Sequence, residues 1–119
     1  MRLLLVSLAL VMCLTASAQE EKKKKGPSPF EHPKNLKVLP AEGLQPTMQA
    51  FRTSLGVMCS YCHVQGDFAS DDNPKKDVAR MMISMAREIN AKFPDGKRHV
   101  SCYTCHRGAE EPLMAPPAQ

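Results

Sequence analysis

Two five-residue stretches repeat one arrangement of reactive side chains: Cys59-Ser60-Tyr61-Cys62-His63 and Cys102-Tyr103-Thr104-Cys105-His106. Thiols separated by two residues lie about one helical turn apart, so each can add to a vinyl group on the same edge of one porphyrin. The histidine that follows is then placed to bind the iron from the proximal side. This is the attachment signature of c-type haem. Doubled in one short chain, it predicts two haem c groups held through Cys59, Cys62, Cys102 and Cys105, with His63 and His106 as axial ligands. Cys13, the remaining cysteine, falls in an apolar N-terminal run.

Other chemistry is open to four paired cysteines. They could bind one zinc ion, or form disulfides in an exported protein. Neither reading requires a histidine directly after each pair.

The far side of each iron decides what such a centre does. A sixth ligand from the protein blocks substrate and favours electron transfer; an open position admits gas or peroxide. Thioether ligation also raises the potential. Of the eight methionines, Met1 and Met12 belong to the N-terminal run. Met48 sits on an apolar helix face shortly before Cys59 and is the natural partner of His63. Met58 adjoins the attachment cysteine and is poorly placed to reach across the ring. Met82 and Met85 share the inner face of a second helix, Met81 points off it, and the pattern alone does not separate Met82 from Met85. A methionine on an apolar stripe is usually core filler.

The elements that must position these groups are helices. A first helix is expected from near Pro46 to Leu55, with proline in its first turn and Gly56 at its stop; Leu44, Met48, Phe51 and Leu55 share a face. A second is expected from Asn73-Pro74 to about Asn90, with Val78, Met82, Met85 and Ile89 as its apolar stripe. Pro94 and Gly96 break the chain. A short third helix covers Cys102 to Arg107 and stops at Gly108. No stretch alternates like a strand, so the class is all-α with long connections.

Residues 1–18 read as a secretory signal, with Arg2, the apolar run Leu3 to Leu14 and Ala16-Ser17-Ala18 as a cleavage site. An uncleaved N-terminal anchor is the alternative. The expected location is therefore the periplasm, where haem c is attached. Residues 19–35 form a basic, proline-broken tether, 36–110 the folded unit, and 111–119 a proline-rich tail. The formal charge is +4. Much of it lies in Lys22 to Lys25, a solvated run able to add weak attraction to a membrane surface or an acidic partner. No basic helix or aromatic–basic platform points to nucleic acid. There is no Trp, with two Tyr, four Phe and ten Pro. A core this thin calls for a staple such as a metal or cofactor.

Three stretches together resemble the cytochrome subunit of photosynthetic reaction centres: Leu55 to His63, Ala79 to Met85 followed by Ile89-Asn90, and Val100 to Gly108. The likeness covers roughly Leu36 to Gly108. That family builds four haems from two similar halves, and this chain is similar to one half. The resemblance implies that a methionine on the helix before each motif is the sixth ligand: Met48 for the first haem, and Met82, the earlier of the Met-x-x-Met pair, for the second. Met85 then becomes packing. One haem of the family uses a histidine from another segment. His32 and His99 are spare here, and solvation is the better reading of both.

These readings converge on a periplasmic dihaem electron carrier passing electrons between redox proteins, with no catalytic acid, base or substrate pocket. A dihaem peroxidase or gas-binding sensor with an open iron is the rival. Asp67, Asp71 and Asp72, after the first motif, are expected to solvate and cap their loop, or to form part of a partner surface.

Overall fold

The computed structural model describes residues 26–118. The expected signal at 1–18 and the start of the tether lie outside the described residues. Among those described there are three α-helices, one 3-10 turn and no strand. Helix α1 spans Leu44–Leu55, a 3-10 turn spans Cys59–Tyr61, α2 spans Lys75–Ala91, and α3 spans Cys102–His106. The all-α class holds.

Helix α1 begins two residues before the expected start. Gly43 precedes it in the left-handed region (φ 68°), and its carbonyl accepts both the Thr47 N–H at 3.1 Å and the Thr47 hydroxyl at 2.8 Å. Pro46 lies within the first turn, where a missing N–H leaves no hydrogen bond unmade. Gly56 ends the helix at φ 67°, donating its N–H to the Arg52 carbonyl at 2.8 Å. A glycine there avoids the Cβ strain of the left-handed region.

Asn73 opens α2: its Oδ1 accepts the Lys75 N–H at 3.0 Å, and its carbonyl accepts the Lys76 N–H at 3.1 Å. Asp77 in the first turn favours the positive end of the helix dipole. Helix α3 is closed at its start by the Ser101 N–H donating to Thr104 Oγ1 at 2.9 Å. It ends one residue earlier than expected because Arg107 adopts the left-handed conformation (φ 51°).

Helices α1 and α3 meet where both end. The Gly108 N–H donates to the Ser54 carbonyl at 2.8 Å, and Ser54 is buried. A Cβ on Gly56 would overlap the Gly108 carbonyl oxygen, so the two backbones touch with no side chain between them.

Leu44, 7% exposed, is the one buried apolar side chain among the described residues, and none of them is fully buried. No residue of α2 is fully buried, and on its apolar stripe Val78 is 50% exposed, Met85 43% and Ile89 40%. Covering such side chains contributes about 1.5–3 kcal/mol each when complete. Helix α2 therefore presents a stripe that the described residues leave largely open.

Candidate haem-attachment sites

The first motif sits on the 3-10 turn that follows α1 across Gly56-Val57-Met58. The Cys62 and His63 N–H groups both donate to the Cys59 carbonyl, at 3.3 and 3.0 Å. This tight turn brings the two cysteines and the histidine round one axis. The second motif is the whole of α3. Cys59 and Cys105 are exposed, Cys62 and Cys102 are half-buried, and all four are free thiols. Burial pushes the Cys62 thiol up, against the opposing pull of Lys75 and Lys76.

Both histidines are held in the same way. His63 Nδ1 lies 2.9 Å from the Phe68 carbonyl oxygen, and His106 Nδ1 lies 3.1 Å from that of Ala109. A carbonyl can only accept, so in each neutral ring Nδ1 carries the proton and Nε2 presents a lone pair. A metal-bound histidine characteristically has this orientation, its second nitrogen fixed on a backbone carbonyl. Burial lowers the His63 pKa, which favours the neutral, metal-binding form.

The loop after the first motif is built to place the Phe68 carbonyl. Asp67 Oδ1 accepts the Ala69 and Ser70 N–H groups, each at 3.1 Å, in an Asx-type turn. Lys76 Nζ donates to the same Phe68 carbonyl at 2.8 Å and to Ser70 O at 2.6 Å. His63 and Lys76 thus share one acceptor, and the Phe68 ring tilts against His63 with centroids 5.3 Å apart. Met58, Cys59, His63, Val64 and Phe68 line a largely apolar cavity of about 280 Å³.

Asp71 does more than solvate its loop. It pairs with Arg80 of α2 at 2.6 Å and with Lys37 at 2.6 Å, and Asn35 Nδ2 donates to the Ala69 carbonyl at 2.7 Å. These bonds clamp the segment before α1 and the helix α2 onto the loop of the first motif. The role of Asp71 follows from Arg80, nine residues on, and Lys37, 34 residues back, partners that spacing along the sequence does not report.

Helix α2 is tied to both motifs by an asparagine at each end. Asn73 Nδ2 donates to the Tyr61 carbonyl inside the first motif at 3.0 Å. Asn90 Oδ1 accepts the N–H groups of His99 and Val100 at 2.7 and 2.9 Å. Its Nδ2 donates to the Val100 and Ala86 carbonyls at 2.9 and 2.8 Å. A helix of 17 residues is about 25 Å long, so α2 acts as a strut between the two cysteine motifs. Met48 is half-buried on α1 and Met82 half-buried on α2, while Met85 and Met81 are exposed. His99 is engaged more than expected: Nε2 lies 2.9 Å from Asp95 Oδ1, and its ring stacks on Phe93 at 3.9 Å.

The sequence matches the photosynthetic reaction centre cytochrome C subunit family over residues 8–115. The chain belongs to that family. It is 43% identical over 65 residues to cytochrome c-554 of Chloroflexus aurantiacus, covering 50% of this chain and 16% of that protein. The photosynthetic reaction center cytochrome c subunit of Thermochromatium tepidum is 47% identical over 62 residues, 48% of this chain and 15% of the relative. That of Rubrivivax gelatinosus is 36% identical over 90 residues, 61% of this chain and 25% of the relative. The chain therefore spans a quarter or less of the length of these relatives.

The residues fit haem c, the prosthetic group such a family implies. Each motif offers two unbridged thiols and an imidazole with its Nε2 lone pair free, and the apolar face of α2 is open. Among the described residues, no three His, Cys, Asp or Glu side chains converge on a bare-ion site. The cysteine pairs lie on separate elements, each with its own histidine, which does not suit a shared zinc.

Proposed function

We propose that this chain is an exported electron carrier with two haem c groups. Cys59 and Cys62 would hold the first through thioethers with His63 on its iron, and Cys102, Cys105 and His106 would do the same for the second. The observation that carries the reading is the matched setting of the two histidines, each with Nδ1 on a backbone carbonyl just beyond its motif. Met48 and Met82 are the proposed sixth ligands, on the helix before each motif.

The haem irons supply one-electron oxidation and reduction. The chain's own residues bind the porphyrins, fix their spacing, keep water from the irons and set the potentials through ligation and burial. The helical repertoire, the open apolar stripe and membership of a cytochrome family support this reading. The domain plan is a signal at 1–18, a tether at 19–35, the dihaem unit at 36–110 and a tail at 111–119, with the periplasm as destination. Redox proteins are the proposed partners, and a photosynthetic one is not assumed.

Intact-mass measurement of the denatured holoprotein tests the central point. The mass should exceed the polypeptide by two haems, with a pyridine haemochrome spectrum of the thioether-linked type. A mass equal to the bare polypeptide would overturn the proposal.

A further inference from the structure

Charge is divided between the two ends of this chain in a way its total conceals. Residues 26–84 contain six Lys or Arg and six Asp or Glu, while residues 85–108 contain Arg87, Lys92, Lys97, Arg98 and Arg107 against only Glu88 and Asp95. Pairing sharpens the contrast. Around the first motif, Lys37, Lys75, Lys76 and Arg80 are engaged by Asp71, Asp77 and Glu110. Of the other two, Arg52 bonds Gln49 and Met58, and Lys34 has no carboxylate partner among the described residues. Among the described residues, none of the five cations of the second group has a carboxylate partner, and Asp95 is taken by His99.

Three of these free cations, Arg87, Lys97 and Arg98, line one groove of about 420 Å³ with Phe93 and Asn90. Phe93 stacks on His99, giving the groove a fixed apolar wall. Asn90 binds the backbone of Val100, two residues before Cys102. The groove is thus joined through one side chain to the segment that carries the second attachment motif. Unneutralised charge of one sign around a concave surface focuses the field and accelerates encounter with oppositely charged molecules.

We infer that this groove is the docking face for an acidic one-electron carrier protein, which exchanges electrons with the second haem. The inference rests on the haem reading above. In the exchange one electron leaves the reduced carrier and converts ferric to ferrous iron, with no bond made or broken and no proton moved. The neutral end around the first motif offers no such attraction.

The test uses the dihaem holoprotein, its two haems first verified by mass and spectrum, so that failure of the haem reading would appear before any kinetics. Reduction of the oxidised protein is followed by stopped flow with two probes: reduced plant-type ferredoxin, which is acidic, and hexaammineruthenium(II), a small cation. With ferredoxin at low salt, R87Q/K97Q/R98Q should slow the second-order rate roughly tenfold, and high salt should bring wild type down to the variant. The ruthenium rate should be unchanged or faster. The charge-conserving variant R87K/K97R/R98K should keep the wild-type ferredoxin rate. An equal ferredoxin rate in wild type and the charge-removed variant at low salt would overturn the inference. So would a deficit that persists at high salt and with the ruthenium probe, because the cations would then serve the second haem's own propionates.

Discussion

The Tyr61 hydroxyl, inside the first cysteine motif, donates a hydrogen bond to the carboxylate of Glu110, four residues past the end of the second. Lys75 joins them, 3.2 Å from the carboxylate and 4.7 Å above the Tyr61 ring centroid. Tyr61 is raised and Glu110 lowered in pKa, each chiefly by the other. Tyr61→Phe and Glu110→Gln should each lower the melting temperature slightly, and the double variant should lose less than the two single losses combined. Additive losses would show that the two groups do not act as a pair.

Acid should loosen the clamp around the first motif. Arg80 and then Lys37 hold the Asp71 carboxyl far below the usual carboxylate range. A group whose folded pKa is depressed stabilises the fold fully above its unfolded value, and that contribution fades as pH falls toward the folded value. The melting temperature should therefore decline as pH drops below about 4. Asp71→Asn should melt lower at neutral pH and show a shallower acid decline. Parallel curves for the variant and wild type would contradict this.

Asn90→Ala would leave both backbone groups of Val100 without their partner. The three bonds lost to Val100 and His99 cost about 2–3 kcal/mol at a half-buried site, lowering the melting temperature on the order of 10 °C. Spectral change should concentrate in the second haem, since Asn90 holds the segment leading to Cys102. A uniform disturbance of both haems would argue against the strut role of α2.

Met48→Ala and Met82→Ala should each remove about half of the near-infrared sulfur-to-iron band of the oxidised protein, lower one potential, and open that iron to carbon monoxide when reduced. Met85→Ala should cost packing and leave both sulfur–iron bonds in place. Loss of ligation in Met85→Ala but not in Met82→Ala would move the second ligand by one helical turn. Stoichiometric carbon monoxide binding by the wild type at both irons would favour the sensor or peroxidase reading.

Lys76 should raise the potential of the first haem. By sharing the Phe68 carbonyl with His63, it weakens the hydrogen bond that makes the imidazole a stronger donor to ferric iron, and its charge favours the ferrous state. Lys76→Gln should lower one of the two potentials in a spectroelectrochemical titration, while Lys76→Arg should hold it. Unchanged potentials in Lys76→Gln would remove this role.

Local chemistry carried much of the fold into the sequence. Asn73-Pro74 and a four-member apolar stripe mark α2 almost to its ends, and Pro46 with Gly56 frames α1. The misplaced boundaries have local causes: Gly43 lets α1 begin early through its carbonyl, and Arg107 turns left-handed where a further helical residue was expected. What spacing could not report are contacts across the chain. Lys37 and Asp71 are 34 residues apart, and Tyr61 and Glu110 are 49 apart. Such pairs obey no periodicity. The candidate site divides in the same way: its cysteines and histidines form a contiguous pattern, whereas Phe68 and Ala109 act through backbone carbonyls and Asn90 bonds the backbone of His99 and Val100, contacts that side-chain identity does not advertise.

The contact of Gly56 with Gly108 has a consequence for how this unit can be reused. It is main chain against main chain, three residues before one motif and two residues after the other. Any added side chain at Gly56 is excluded by the Gly108 carbonyl, so this contact fixes how closely the ends of α1 and α3 approach. The exposed cations Arg87, Lys97 and Arg98, by contrast, lie away from that contact and can be exchanged without disturbing it. A part with a constant internal gauge and a variable rim could be fitted to different partners without resetting the spacing within.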